Sequence, residues 1–131
     1  MPKQNTFTFP FVHYPIIPVQ FEHNNKKTPF IVALIDSGGD SVVVPKAIVD
    51  FLGARIEEAD VAKTAGGDTK IQKTKLKLTI GKEEPRITYE DIDIFVVNSS
   101  DVPVLLGRTP LFDDFEITFR KKKGEIILKK A

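Results

Sequence analysis

Nine prolines and eight glycines cut this chain of 131 residues into short pieces, and the pieces are rich in Val, Ile, Thr and Phe rather than in helical repeats. Proline removes a backbone donor and glycine breaks regular elements, whereas β-branched and aromatic side chains suit a pleated surface. The chain is therefore expected to fold mostly as short β-strands. Thr6-Phe7-Thr8-Phe9 alternates with a period of two before Pro10, as an edge strand or loose arm does. Ile16 to Glu22 runs into Asn24-Asn25, residues that tolerate a tight turn, and Phe30 to Ile35 returns as a buried strand, so the pair reads as a hairpin.

A single helix of about two turns is expected, with Pro45 in its first turn, Ile48, Phe51 and Leu52 on one face and Gly53 closing it. Ile56 to Lys63 and Thr69 to Ile80 form a long protruding hairpin through Ala65-Gly66-Gly67-Asp68. Ile92, Ile94 and Val96 alternate in another strand, and Val104 to Leu106 make a short one. The pairs Ile117/Phe119 and Ile126/Leu128 flank a turn at Lys121 to Gly124. So many short strands predict a closed barrel or a sandwich. Without a linker or an internal repeat, residues 1–131 read as one domain, with 1–14 as an N-terminal arm.

Charge and composition narrow the chemistry. Nineteen basic and eighteen acidic side chains leave a net charge of +1, so no global field draws the protein to nucleic acid or anionic lipid. The absence of cysteine excludes disulfides, thiol catalysis and Cys-ligated metal. His13 and His23 have no partner at ligand spacing, so neither a metal nor a cofactor is expected. The longest apolar run, Phe30 to Ile35, falls far short of the roughly 20 residues that span a bilayer, and no leader pattern is evident. No membrane partner is expected, and a cytoplasmic location fits best. Arg120-Lys121-Lys122-Lys123 reads as a solvated turn, with a nucleic-acid-binding β-domain as its rival reading.

The most informative stretch is Ala33-Leu34-Ile35-Asp36-Ser37-Gly38-Gly39-Asp40, where an apolar strand ends in an acid followed by small turn-forming residues. A carboxylate leaving a buried strand needs hydrogen bonds, and Ser37 and the amides of Gly38 and Gly39 are the nearest donors. By spacing alone Asp36 is either a capping residue of a chain reversal or a functional acid.

Asp36-Ser37-Gly38 resembles the Asp-Thr/Ser-Gly signature of retropepsin-like aspartic proteases, and Val104-Leu105-Leu106-Gly107-Arg108 resembles that family's hydrophobic-hydrophobic-Gly-Arg element. The resemblance runs from about Ile16 to Leu128 and is closest to compact cellular and prokaryotic members. It implies a small closed β-barrel with one short helix and a β-hairpin flap at Ala65, Gly66 and Gly67. It also implies an aspartic endopeptidase acting on extended polypeptides, with Asp36 catalytic. Ser37 would bond across a dimer axis, Gly38 would present its amide to the carboxylate, Gly107 would allow close backbone approach, and Asp40 would pair with Arg108, the fork of the guanidinium taking the carboxylate in bidentate fashion.

Such chemistry needs two carboxylates sharing one proton, and this chain carries one signature. A homodimer contributing one Asp36 per subunit meets that need, and the paired acids imply a weakly acidic optimum. The competing reading is a noncatalytic dimeric peptide-binding module of the same fold. Two departures stand out: Gly39 occupies a position where the family commonly has alanine, and the section through Tyr14 has no clear counterpart. Glu125 to Leu128 and the Phe7-Phe9-Phe11 arm are candidate dimer contacts, unless each completes its own subunit.

Overall fold

A computed structural model describes residues 5–64 and 67–131, with 59–64 and 67–70 described as backbone only. In chain order the strands are β1 (Thr6–Pro10), β2 (Ile16–His23), β3 (Lys26–Lys27), β4 (Ile31–Ile35) and β5 (Val42–Pro45). The helix α1 (Lys46–Leu52) follows, then β6 (Glu57–Thr64), β7 (Gly67–Ile80), β8 (Ile87–Val97), β9 (Val104–Leu106), β10 (Phe115–Arg120) and β11 (Glu125–Lys130). Ala65 and Gly66 lie outside the described residues.

Six strands close on themselves in the order β2-β4-β9-β5-β8-β7, the ring being completed by antiparallel pairing of β7 with β2 from Val19↔Ile80 to Glu22↔Lys77. This is the expected small all-β barrel. Closure places alternate side chains inside, so Ile17, Val19 and Phe21 of β2, Ala33 and Ile35 of β4, and Leu76, Leu78 and Ile80 of β7 are buried together with Ile94 and Leu106. Burying a Leu, Ile or Phe side chain contributes about 1.5–3 kcal/mol, so this interior holds the ring shut. A three-stranded sheet, ordered β1-β11-β10, lays Phe7, Ile126, Leu128 and Phe115 into the same core. The Phe7 and Phe115 rings meet edge to face, 5.9 Å apart. Among the described residues no helix is long and apolar enough to cross a membrane.

The local signals act as their chemistry requires. Asn24 and Asn25 take positive φ angles of 47° and 68°, turning β2 into β3. Gly53 ends α1 at φ 70°, with its amide on the Asp50 carbonyl. The inward residues of α1 are Val49 and Leu52, however, and Phe51 points outward, 51% exposed, with the Lys26 ammonium 5.2 Å from its ring centre. Pro45 closes β5 just ahead of the helix rather than entering its first turn. β4 also departs from expectation, because Ala33 and Ile35 are buried while Val32 is 58% exposed. One face of this strand packs in the barrel and the other faces out.

From Val61↔Lys70 to Thr64↔Gly67, β6 and β7 pair with each other beyond Gln72↔Val96, the last pairing of β7 with β8 among the described residues. The hairpin thus projects past the barrel rim. The Phe7-Phe9 arm and the last strand pair with each other inside one chain, from Thr6↔Lys129 to Pro10↔Glu125. The basic run turns β10 into β11, its amides at Lys123 and Gly124 donating to the carbonyls of Arg120 and Lys121.

Candidate active site

The two motif stretches meet because β4 and β9 lie side by side and parallel, with Ala33↔Val104, Leu34↔Leu105 and Ile35↔Leu106 in register. Parallel neighbours end at the same rim, so Asp36 and Gly107 leave the barrel together. The Asp36 amide donates to the Leu106 carbonyl at 2.9 Å, continuing the ladder by one step.

Asp36 is half-buried at the head of a tight loop. The Gly38 amide donates to Asp36 Oδ1 at 3.0 Å and the Gly39 amide to the Asp36 carbonyl at 3.2 Å. This is the geometry of an Asx turn, and it fixes the carboxylate rather than leaving it to rotate. A Cβ at Gly38 would lie 3.4 Å from Asp36 Oδ1, and one at Gly39 would lie 3.2 Å from Asp36 Oδ2. Small residues therefore let the loop curl onto the acid. Ser37 is exposed, its hydroxyl without a hydrogen-bond partner among the described residues.

Gly107 is buried against the same loop. Its amide donates to the Ser41 carbonyl at 3.1 Å, and a Cβ there would lie 2.5 Å from both the amide nitrogen and the carbonyl oxygen of Ser41 and 2.8 Å from the Gly39 oxygen. The next two amides continue the clasp, Arg108 donating to the Gly39 carbonyl and Thr109 to the Asp40 carbonyl, each at 2.9 Å. The Arg108 guanidinium divides its fork: Nη2 pairs with the Asp40 carboxylate, while Nε donates to the Gly39 carbonyl at 3.3 Å. The expected ion pair is thus present, but one arm holds backbone instead of the second carboxylate oxygen. With 56% of the Arg108 side chain and 86% of the Asp40 side chain exposed, solvent screens the charges strongly.

Beside this loop lies a row of apolar side chains not singled out in the sequence. Paired across neighbouring strands are Ile16 and Leu34, Leu34 and Leu105, Leu105 and Val43, and Val43 and Phe95. All five sit on the outward face and keep some exposure, and Leu34 is two residues before Asp36, on the same face of the chain. Every residue of Ala33-Leu34-Ile35 is apolar, so alternation gave no sign that Leu34 turns outward. The barrel therefore offers a fixed carboxylate next to an apolar strip several strands wide.

Of the other positions named from sequence, Gly67 opens β7, whereas Ala65 and Gly66 lie outside the described residues. His13 lines a groove of about 860 Å³ between the N-terminal segment and the Gly81–Pro85 loop, and His23 ends β2. Tyr89 of β8 donates to Asp114 Oδ2 at 2.7 Å. Burial first, then this bond and the nearby Asp113 and Asp114 charges, push its phenol well above the ordinary tyrosine range.

A family model described as aspartyl protease matches residues 18–109. No curated protein matches the chain. Among solved structures, the fold is similar to a retropepsin-like aspartic protease from Rickettsia conorii, with 21% identity and a TM-score of 0.60 over 100% of this chain and 98% of that one. It is also similar to EIAV protease complexed with the inhibitor HBY-793, with 22% identity and a TM-score of 0.53 over 76% of this chain and 86% of that one.

Proposed function

Because the chain belongs to the retropepsin-like aspartyl protease family, we propose that it is an aspartic endopeptidase whose active unit is a homodimer, with one Asp36 carboxylate from each subunit. The observation that carries this reading is the clasp of two parallel strands that fixes Asp36 at the rim. A buried acid held only for stability has no need of an outward setting beside an open apolar strip.

Two carboxylates about 3 Å apart cannot both ionise cheaply, so the pair holds one proton. The ionised member takes a proton from a water between them as that water attacks the scissile carbonyl. The protonated member donates to the carbonyl oxygen as negative charge develops there. Ser37 would bond to the partner's active-site loop, and the Gly38 amide would hold the orientation of Asp36. Gly107, with Arg108 and Asp40, supports the loop from below. The row through Leu34, Leu105 and Val43 would receive apolar side chains of an extended polypeptide. The hairpin tip at Ala65, Gly66 and Gly67 would act as a flap, adding backbone hydrogen bonds of the strand-addition kind. No metal or cofactor takes part in this scheme, and the whole chain, 1–131, acts as one domain.

The test is incubation of the purified protein with an unfolded protein substrate from about pH 3 to about pH 8, a range that brackets carboxyl titration, beside Asp36→Asn. Cleavage strongest at mildly acidic pH and abolished by the substitution is the expected result. Binding of the substrate without cleavage at any pH would replace the protease reading by that of a noncatalytic peptide-binding module.

A further inference from the structure

The two ends of the chain meet at one corner of the molecule. The Phe11 amide donates to the Gly124 carbonyl at 2.9 Å, the Phe11 and Phe119 rings meet edge to face 5.6 Å apart, and the Lys121 ammonium stands 5.6 Å from the centre of the Phe11 ring. These contacts hold the bend at residues 12–14 against the turn that joins β10 to β11. Val12 is 73% exposed and Tyr14 is 68% exposed, the two most open large hydrophobic side chains among the described residues. Next to them Arg120, Lys121, Lys122 and Lys123 are all exposed.

Charge at this corner has one sign. Residues 5–21 contain no Asp, Glu, Lys or Arg, and residues 117–124 contain four cations and no carboxylate. Glu125 reaches Arg120 at 3.5 Å, and Lys122 and Lys123 form no ion pair among the described residues. Glu83 and Glu84, which line the same groove as Val12, His13 and Tyr14, have the cations of Lys82 and Arg86 beside them, Glu84 lying 3.8 Å from Arg86. The charge of +1 over the whole chain conceals this arrangement, because the acids that cancel the turn in the count lie elsewhere in the fold.

The apolar half of the corner decides between anionic partners. Single-stranded nucleic acid requires open aromatic faces for stacking and cations spread along a groove that tracks the backbone. Here the Phe11 ring is half-buried, with an ammonium and a second ring against it, and the cations are gathered in one tight turn. A bilayer with acidic lipids uses both halves. Its headgroups attract the lysines, while Val12 and Tyr14 enter the boundary between headgroups and acyl chains, where a tyrosine has an apolar medium for its ring and water for its hydroxyl.

We propose that residues 11–14 together with Arg120 to Lys123 form a docking surface for an anionic lipid bilayer, on which the protein lies peripherally. No spanning segment is needed. The inference is independent of the protease reading and would place that activity at a membrane face.

Co-sedimentation with vesicles of phosphatidylcholine alone, or of phosphatidylcholine mixed with phosphatidylserine, tests it. Wild type should pellet with the mixed vesicles only, and less as salt is added. Each cation near an acidic surface strengthens binding about fivefold, so Lys122→Gln with Lys123→Gln should weaken it about tenfold or more. Lys26→Gln with Lys27→Gln, the same charge change at two exposed lysines of β3, should leave it within about twofold. Val12→Ser with Tyr14→Ser should also weaken binding, although no charge is altered. Because the chain has no tryptophan, Val12→Trp supplies a single reporter whose emission should shift to the blue on mixed vesicles, whereas Phe51→Trp, exposed on α1, should not shift. Equal loss of binding in the two lysine pairs, an unshifted Val12→Trp spectrum, or no preference for phosphatidylserine would each overturn the proposal. So would a single-stranded oligonucleotide that binds wild type and the Val12/Tyr14 variant alike and strips both from the vesicles, since the occupant would then be nucleic acid.

Discussion

At Gly107 the fold has no room for a Cβ, since the atoms in the way are backbone of Ser41 and Gly39 rather than movable side-chain ends. Gly107→Ala must therefore displace the loop that carries Asp36. The expected cost is about 1–3 kcal/mol of stability, read by urea unfolding, with cleavage lost out of proportion to the unfolded fraction. Arg108 and Asp40 make the opposite case. Their charges are exposed, so a double-mutant cycle with Arg108→Ala and Asp40→Ala should give a coupling within about 1 kcal/mol that shrinks as salt is added. Tyr89 predicts an alkaline effect. The folded state holds its phenolic proton above the usual tyrosine range while the unfolded state releases it near about pH 10. The unfolded chain then binds fewer protons, so stability falls as pH rises past that point, and Tyr89→Phe should flatten this decline in melting temperature. At this scale the sequence was legible where a residue type has one physical use: an acid after an apolar strand, followed by small residues, and a glycine where backbones touch. Leu34 and Phe51 were not, because an all-apolar run hides which side chains turn outward, and a short helix has too few turns to define its face.

Elements were legible by the period of their side chains, and their partners were not. Alternation located β1 and β8, and the turn at Asn24-Asn25 located β2, yet nothing local states that β2 and β7 close the ring or that β4 and β9 run parallel, since those pairings join residues far apart in the chain. The arm around Phe7 illustrates the difference. Its period marked a strand, but its pairing with β11 inside the same chain depends on the sheet that Phe115 and Leu128 build beneath it. Leu128 is fully buried at the centre of that sheet, so Leu128→Ala should cost about 2–5 kcal/mol of unfolding free energy. The projecting hairpin should respond differently. Beyond Gln72 the strand pairings among the described residues are those of β6 with β7, so replacing residues 61–70 by a tight turn should leave the melting temperature within a few degrees while lowering cleavage about tenfold or more. A large fall in stability would instead mean that the hairpin is part of the barrel's support.

For the whole molecule, the barrel and the three-stranded sheet share one core, and the loop bearing Asp36 emerges where the parallel strands end. Each copy supplies half of the proposed chemistry, a consequence of carrying one signature in 131 residues. Dilution should then reduce activity per mole as dimers dissociate. The most direct measurement mixes wild type with Asp36→Asn in equal amounts, lets subunits exchange, and compares cleavage with wild type alone at the same total concentration. If both carboxylates of a pair are required, only about a quarter of the dimers retain them and activity falls to about a quarter. Activity of about a half would show that each Asp36 works without its counterpart, contradicting the shared dyad.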